Sequence, residues 1–150
     1  MIRLFTGAAL LALSLGASAA DGNDINGVWR TKDGGYVQIY PQDGHWVGTV
    51  VGSRSGEARF DKNNPDESLR GRRLLGVTVL TGLDYAGDGE WSNGEIYSPD
   101  NGKTYSAKAT LDGDDRLDVR GYIGISLIGR SQSWQRVSED APHLEKKLLH

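Results

Sequence analysis

The stretch "KTYSAKATL" at residues 103–111 shows the pattern that decides the fold of this chain. Apolar residues at 105, 107, 109 and 111 alternate with polar ones at 104, 106, 108 and 110, so the two kinds of side chain fall on opposite faces of an extended backbone. A period of two residues is typical of a β-strand that buries one face. The stretch therefore predicts one strand of a half-buried sheet.

Seven other short runs are rich in Val, Ile, Thr, Tyr and Trp, the residues that suit a pleated and half-buried surface. They are "GVWRT" (27–31), "YVQIY" (36–40), "HWVGTVV" (45–51), "GVTVLTGL" (76–83), "EWSNGEIYS" (90–98), "RLDVRGYIG" (116–124) and "RSQSWQRV" (130–137). Asp-Gly and Asn-Gly pairs such as Asp43-Gly44 and Asp88-Gly89 lie between the runs. These pairs accept the positive φ of tight hairpin turns, so they predict an antiparallel meander.

A meander of eight strands has two exposed edges, and closing it into a barrel removes them. We therefore predict an all-β fold over residues 21–137, an eight-stranded antiparallel up-and-down barrel, with a two-sheet sandwich as the alternative. The polar segment 52–75 forms one long loop between strands three and four, and Pro65-Asp66-Glu67 favours one short helical turn within it. Residues 138–150 are expected to form a solvated tail or a short terminal helix.

The first 20 residues have the anatomy of a secretory signal peptide. Arg3 supplies a positive start, "LFTGAALLALSL" is a short apolar core, and "ASA" at 17–19 is a small-residue cleavage pattern. The apolar run is shorter than the ~20 residues that a transmembrane helix needs. We expect the mature protein to be in the periplasm or secreted, and not to be embedded in a membrane.

Composition excludes several classes of function. The chain has no cysteine, so thiolate-bound metals and iron–sulfur clusters are excluded. It carries 17 basic and 20 acidic residues, a formal net charge of −3, whereas nucleic-acid binding depends on a basic surface. We predict no nucleic-acid partner and no cofactor.

No catalytic or metal-binding pattern stands out in the sequence. A nucleophile elbow needs Gly-x-Ser-x-Gly before a helix, but Gly124-Ile125-Ser126-Leu127-Ile128 has no glycine at the fifth place. The segment "DKNNPD" (61–66) resembles the start of a calcium loop but has Pro65 and Asp66 where an oxygen ligand and a glycine belong. The arginines at 70, 72 and 73 lie near Asp61, Asp66 and Glu67, which favours local ion pairs over an anion site. We predict a protein that is not an enzyme.

Four segments carry a family resemblance. They are "GVW" (27–29), "DKNNPDESLRGRRLLG" (61–76), "WSNGEIYSPDNGKTYSA" (91–107) and "RGYIGISLIGRSQSW" (120–134). The first, "GVW", resembles the Gly-x-Trp signature of lipocalin and calycin barrels. The three later segments, in this order and spacing, resemble DUF2147, a domain-of-unknown-function family of small exported bacterial proteins. The resemblance implies a lipocalin-like barrel and no reaction. It also implies that an arginine of the last strand packs over Trp29, and Arg136 is better placed for this than Arg130 because strand eight finishes at the end where strand one begins.

Meander geometry places the long loop and the corner 124–129 on the same rim of the barrel, so a pocket would open there. Ala107 and Ala109 are small inward residues, which leaves room inside unless tryptophans and tyrosines fill it. The candidate ligand contacts are Tyr36, Tyr40, Arg70, Tyr105, Ile125, Leu127, Ile128 and Arg130. We expect a non-enzymatic barrel that binds a small, partly apolar molecule. The alternative is a cell-envelope interaction module with a filled core and an unknown protein partner.

Overall fold

The computed structural model describes residues 21–125 and 127–150. The predicted signal peptide and Ser126 lie outside the described residues. The strands are β1 (Gly27–Arg30), β2 (Tyr36–Gln42), β3 (His45–Gly52), β4 (Thr78–Gly87), β5 (Glu90–Ser98), β6 (Lys103–Asp112), β7 (Arg116–Tyr122) and β8 (Gly129–Val137). Each strand pairs with the next in antiparallel fashion, and β1 also pairs with β8, which closes the barrel. The predicted eight-stranded up-and-down barrel is confirmed, and the sandwich is excluded.

The hairpin turns follow the chemistry that the sequence predicts. Asp43 and Gly44 join β2 to β3 with φ values of 53° and 82°, and Asp88 and Gly89 join β4 to β5 with 54° and 71°. Both central residues of such a turn need a positive φ, which Asp-Gly supplies at little cost. β4 extends to Gly87, beyond the predicted end at residue 83, because Asp84 and Tyr85 still pair with Ser92 and Trp91 of β5. Ala86 and Gly87 have low strand propensity, which is why the sequence did not show this extension.

One end of the barrel is closed by the segment that precedes β1. Gly22–Ile25 form a single turn of 3-10 helix beneath the barrel, and Ile25 is fully buried. The indole N–H groups hold this segment: Trp91 donates to the Gly22 carbonyl at 3.2 Å and Trp29 donates to the Ile25 carbonyl at 3.0 Å. The tryptophans therefore bury a large apolar surface and also satisfy backbone groups that the barrel interior would otherwise leave unpaired.

Arg136 completes the closed end. Its guanidinium carbon lies 4.4 Å from the centroid of the Trp29 ring, the contact that the family resemblance implied. Its three nitrogens donate to the carbonyls of Asn26 at 2.6 Å, Asp24 at 2.7 Å and Asp114 at 2.7 Å. One side chain thus joins the segment before β1, the β6–β7 turn and the core tryptophan.

The C-terminal segment is not a solvated tail. It lies on the outer face of β1, β2 and β3, where Val28, Tyr36 and Val51 form a second apolar cluster covered by Leu144 and Leu148. The Glu145 amide donates to the Val51 carbonyl at 2.8 Å, and a 3-10 helix spans Lys146–Leu148. Of the two expectations, the short terminal helix is present as this 3-10 helix, whereas the solvated tail is not. The docking was not evident because "LEKKLL" has no visible partner in the sequence, and the apolar strip that it covers is outside the barrel.

Leu144→Ala should lower the free energy of unfolding by about 1.5 kcal/mol, because it removes a half-buried side chain from this second cluster. Chemical denaturation followed by circular dichroism measures the change. Lys147→Ala is the matched control on the exposed side of the same segment and should leave stability within about 0.5 kcal/mol of the wild type. Equal effects from the two variants would show that the segment is not packed as described.

Candidate functional site

The other end of the barrel is open and leads into a cavity of about 1030 Å³. The strand-borne part of its wall is mostly apolar and includes Val37, Val50, Val79, Ile96, Val119 and Trp134. The mouth is framed by the β1–β2, β3–β4, β5–β6 and β7–β8 connections, as the meander geometry predicts. Ligand sites are concave, mainly apolar and supplied with a few polar groups, and this cavity has that character.

Glycines mark the depth at which the barrel changes from filled to open. A Cβ placed on Gly94 would lie 2.6 Å from Leu83, and one on Gly48 would lie 2.9 Å from Val37, so the closed half has no spare volume. A Cβ placed on Gly121 would meet nothing closer than Tyr105 at 3.5 Å. The cavity therefore begins near Gly121, above a core made by Trp29, Trp91 and Leu117.

Strand register shows which polar side chains face the cavity. Gly121 of β7 lies opposite the buried Ala107 on one side and opposite Arg130 of β8 on the other. Directly opposed residues project to the same face, so Arg130 projects inward. By the same rule Gln132, opposite the buried Val119, also projects inward. Tyr105 shares the face of Ala107 because it lies two residues before it on the same strand.

The acidic residues of the mouth are largely paired. Arg59 donates to Asp33 at 3.2 Å and to Asp100 at 3.4 Å, which ties the long loop to two other connections. Burial raises the pKa of the Asp33 carboxyl, but hydrogen bonds from Thr31 and Gly35 and the nearby Arg59 outweigh burial and hold that pKa below its usual range. Asp33 is therefore ionised at neutral pH and already committed to Arg59.

The long loop is a structured wall anchored by one buried carboxylate. Asp61 is fully buried and accepts hydrogen bonds from the Tyr97 hydroxyl at 2.5 Å, from Asn64 Nδ2 at 2.8 Å and from Arg72 Nε at 2.9 Å. Burial raises its pKa, but these donors and the charge of Arg72 outweigh burial, and the net pKa is lowered. Burial together with the Asp61 carboxylate raises the pKa of Tyr97 to about 12.

The helical turn predicted in the loop is present as the 3-10 helix Glu67–Leu69, with Asp66 accepting from the Ser68 amide at 3.0 Å. The predicted local ion pairs also form, between Arg72 and Asp61 at 2.9 Å and between Arg70 and Glu67 at 3.8 Å. Leu74 of the same loop lines the cavity. The segment is therefore part of the cavity wall, and its polar residues serve to hold it there.

An apolar corner stands at the mouth between β7 and β8. We use the term corner for Ile123, Ile125, Leu127 and Ile128, which are 58–85% exposed. Ile123 and Ile128 also line the cavity, whereas Ile125 and Leu127 do not. The corner is thus continuous with the cavity wall and projects beyond it into solvent.

The structure brings some of the candidate ligand contacts together and separates others. Tyr105, Ile128 and Arg130 line the cavity with their side chains on the inner face or at the mouth. Tyr36 contributes to the lining, but its ring belongs to the second apolar cluster on the outside. Tyr40 stacks on His150 at 4.0 Å between ring centroids, and Arg70 donates to the Asn64 carbonyl at 2.8 Å. These two residues lie away from the cavity.

Sequence reasoning missed Gln132, Trp134 and the aliphatic wall. Alternation in "RSQSWQRV" could have revealed them, because Arg130, Gln132, Trp134 and Arg136 share one face of the last strand. The strand carries polar residues on both faces, so its inner face was not evident before the register was known.

In the described ranges, no histidine–carboxylate pair of the kind used in catalysis lies at the cavity. His45 Nδ1 lies 2.6 Å from Asp84 Oδ1, but both side chains are about half exposed and stand on the barrel exterior near the closed end. Among residues 21–125 and 127–150 no group of three His, Cys, Asp or Glu side chains is placed to hold a metal ion. In this part of the chain no helix is long and apolar enough to cross a membrane.

Comparisons with known proteins agree with the geometry. The family model described as "Uncharacterized protein conserved in bacteria (DUF2147)" matches residues 27–136. The chain is also similar to a solved structure described as "Protein HP1028 from the human pathogen Helicobacter pylori belongs to the lipocalin family". That similarity has a TM-score of 0.72 and 24% sequence identity over 77% of this chain and 84% of that chain, and at this identity it shows the fold alone. No curated protein matches the chain.

Proposed function

The chain belongs to the DUF2147 family of uncharacterized bacterial proteins, and we propose that it is an exported, non-enzymatic, lipocalin-like barrel that binds one small, partly apolar molecule in the open-end cavity. The observation that carries the proposal is the unfilled half of the barrel. A barrel of eight strands can be filled completely by its own side chains or can hold one small ligand. Here the side chains fill the closed half, and a mainly apolar cavity of about 1030 Å³ remains above them.

The proposal that the protein is not an enzyme rests on the contents of the cavity wall. The fold is typical of binding proteins, although fold alone is a weak guide to function. Two carboxylates at the mouth, Asp33 and Asp100, are engaged in ion pairs with Arg59. The one histidine–carboxylate pair described, His45 with Asp84, stands on the exterior at the opposite end.

A second candidate function is a cell-envelope interaction module that uses the exposed corner on a protein partner. The exposure of Ile125 and Leu127 at 58% and 85% favours it, since exposed apolar clusters often mark interaction sites. That hypothesis assumed a filled barrel core, and the open half of the barrel does not support this assumption. Ligand binding in the cavity is therefore the first candidate.

Gly121→Leu should abolish binding of a small apolar molecule while leaving the fold intact. Gly121 has no positive φ, and a Cβ there makes only ordinary van der Waals contacts, so the larger side chain extends into the cavity without backbone strain. Titration with the neutral fluorophore N-phenylnaphthylamine measures binding directly. We expect saturable enhancement of fluorescence with the wild type and a loss of affinity of at least about tenfold with the variant.

The control for this experiment is Gly71→Leu. Gly71 lies on the outer surface of the long loop with open space around it and no positive φ, so the same change should leave binding unaltered. A second variant, Ile125→Asn with Leu127→Asn, makes polar the two corner residues that do not line the cavity. Binding that survives Gly121→Leu but disappears in the corner variant would contradict the proposal and favour the interaction module.

Export rests on the signal-peptide pattern of residues 1–20. N-terminal sequencing of the protein recovered from the periplasm of its own bacterium should give a start at residue 20 or 21. A full-length chain found in the cytoplasm would contradict export and would leave the cavity proposal unaffected.

A further inference from the structure

Three residues with hydrogen-bond donors face the cavity from neighbouring strands of its wall. Arg130 and Gln132 project inward from β8, and Tyr105 projects inward from β6, with β7 between the two strands. Gly121 is the β7 residue at this level, and because it has no side chain the Tyr105 Cβ can lie 3.5 Å from the point that a Cβ of residue 121 would occupy. No β7 side chain therefore projects into the cavity at the level between Tyr105 and Arg130.

Within the part of the chain that the structure describes, the side chain of Arg130 has no partner of the kind that binds the side chains of Arg59, Arg72 and Arg136. Arg59 is paired with Asp33 and Asp100, Arg72 with Asp61, and Arg136 with three backbone carbonyls. No described residue makes a hydrogen bond or ion pair with the Arg130 guanidinium. An inward arginine beside an apolar wall keeps all five N–H donors available, and its planar fork matches a carboxylate.

The two neighbouring groups are also poised to donate. The Tyr105 hydroxyl oxygen accepts from Asn101 Nδ2 at 2.8 Å, so its own proton is free to point elsewhere. The Gln132 carbonyl oxygen accepts from Trp134 Nε1 at 2.8 Å, which leaves the Gln132 amide N–H groups for another acceptor. The acceptor oxygens of Tyr105 and Gln132 are thus occupied, while the Tyr105 hydroxyl proton and the Gln132 amide N–H groups are available, an arrangement that suits an anion.

We propose that the ligand of the cavity is an amphiphile with a carboxylate head group, held by Arg130, Tyr105 and Gln132, and with a hydrocarbon body against the wall formed by Val37, Val50, Val79 and Ile96. This inference rests on the proposed function, because it names the class of molecule that occupies the same cavity. Lys32 and Glu57 are charged residues of the loops that form the mouth. Arg130, in contrast, belongs to strand β8 of the cavity wall. The head group therefore lies at the side of the cavity below the rim.

The test compares dodecanoate with dodecanol, which share a hydrocarbon chain and differ in the charge of the head group. Displacement of N-phenylnaphthylamine from the wild type should show that dodecanoate binds about tenfold or more tightly than dodecanol, since a charge-assisted hydrogen bond is worth more than a neutral one. Arg130→Gln should weaken dodecanoate binding by about tenfold and leave dodecanol binding unchanged.

The matched control is Arg120→Gln on the neighbouring strand. Arg120 lies opposite Ser131, one residue along from the inward pair, and its Nη1 donates to Ser131 Oγ at 3.1 Å on the outer face. This variant removes the same charge from the protein but should not change either affinity. A loss of dodecanoate affinity equal to that of Arg130→Gln would show a general charge effect and would overturn the inference.

The remaining outcomes separate the inference from the proposed function. If both amphiphiles bind equally and Gly121→Leu blocks both, the cavity binds apolar molecules but the carboxylate site is wrong. If the fluorophore binds and neither amphiphile displaces it, the inference is again overturned and the cavity proposal stands. If Gly121→Leu changes no binding at all, the proposed function fails and the inference fails with it.

Discussion

Replacing Trp29 with alanine should lower the free energy of unfolding by about 4 kcal/mol, the range found for large-to-small changes of buried aromatic residues. Trp29 is fully buried at the centre of the closed end. Its loss would leave a void in a tightly packed core, free the Ile25 carbonyl from its indole partner and remove the ring on which Arg136 rests. All three effects act on the closed end of the barrel. That end should therefore open before the rest of the barrel unfolds.

Denaturant unfolding followed by circular dichroism measures this change without depending on tryptophan fluorescence. Trp29→Phe is the companion variant, because it keeps an aromatic ring beneath Arg136. It loses the hydrogen bond to the Ile25 carbonyl but only part of the side-chain volume. We expect it to lose about half as much stability as Trp29→Ala. An alanine variant that unfolds within about 1 kcal/mol of the wild type would contradict the role assigned to Trp29, since truncating a buried tryptophan typically costs about 3–5 kcal/mol.

Asp61→Ala should lower the free energy of unfolding by about 3 kcal/mol. The carboxylate is fully buried and is the shared acceptor for Tyr97, Asn64 and Arg72. Removing it leaves these three donors without their acceptor in a place with little water, and unpaired buried polar groups are costly. Since this network anchors the long loop, the variant should also loosen the side of the cavity that Leu74 forms.

The same carboxylate predicts the sign of a pH effect. The folded-state pKa of Asp61 lies below 3.8, the ordinary value for an aspartate, so the folded protein holds the ionised form more strongly than the unfolded chain does. The stability that Asp61 contributes is therefore present above the unfolded pKa and is lost as pH falls through the folded pKa. The stability difference between the wild type and Asp61→Ala should be full near pH 7 and should shrink below about pH 4.

Asp140→Ala is the control for this prediction. Asp140 is paired with Lys146 on the exposed surface, where an ion pair contributes little, so this variant should lose far less stability than Asp61→Ala. A value for Asp61→Ala no larger than that of the control, or a difference from the wild type that does not change with pH, would contradict the role assigned to the buried network.

The strands, their order and the chemistry of their turns could be predicted because each depends on short-range signals. The alternation in residues 103–111 predicts a strand, and the Asp-Gly pairs predict tight hairpin turns. The helical turn after Pro65 was predictable for the same reason. The position of Arg136 over Trp29 needed the family resemblance together with the direction of the last strand.

The rest depended on contacts between residues that are distant in the sequence. Asp61 lies in the long loop, and its burial requires Tyr97 of β5, which lies 36 residues away. The docking of the C-terminal segment requires Gln38, which exchanges two hydrogen bonds with His150 across 112 residues. Tyr40 was assigned to the cavity because strand parity alone does not say which face is inner. Tyr36 and Tyr40 share the outer face of β2, whereas Val37 and Ile39 face the core.

The proposed function places a small, partly apolar molecule inside the open half of the barrel. Methyl-resolved NMR during titration with dodecanoate shows where that molecule binds. We expect shifts in the methyl signals of Val37, Val50, Val79 and Ile96 on the cavity wall, and none in Val28 and Val51 on the outer face. Shifts confined to Ile125 and Leu127 of the exposed corner, with the wall signals unchanged, would contradict it.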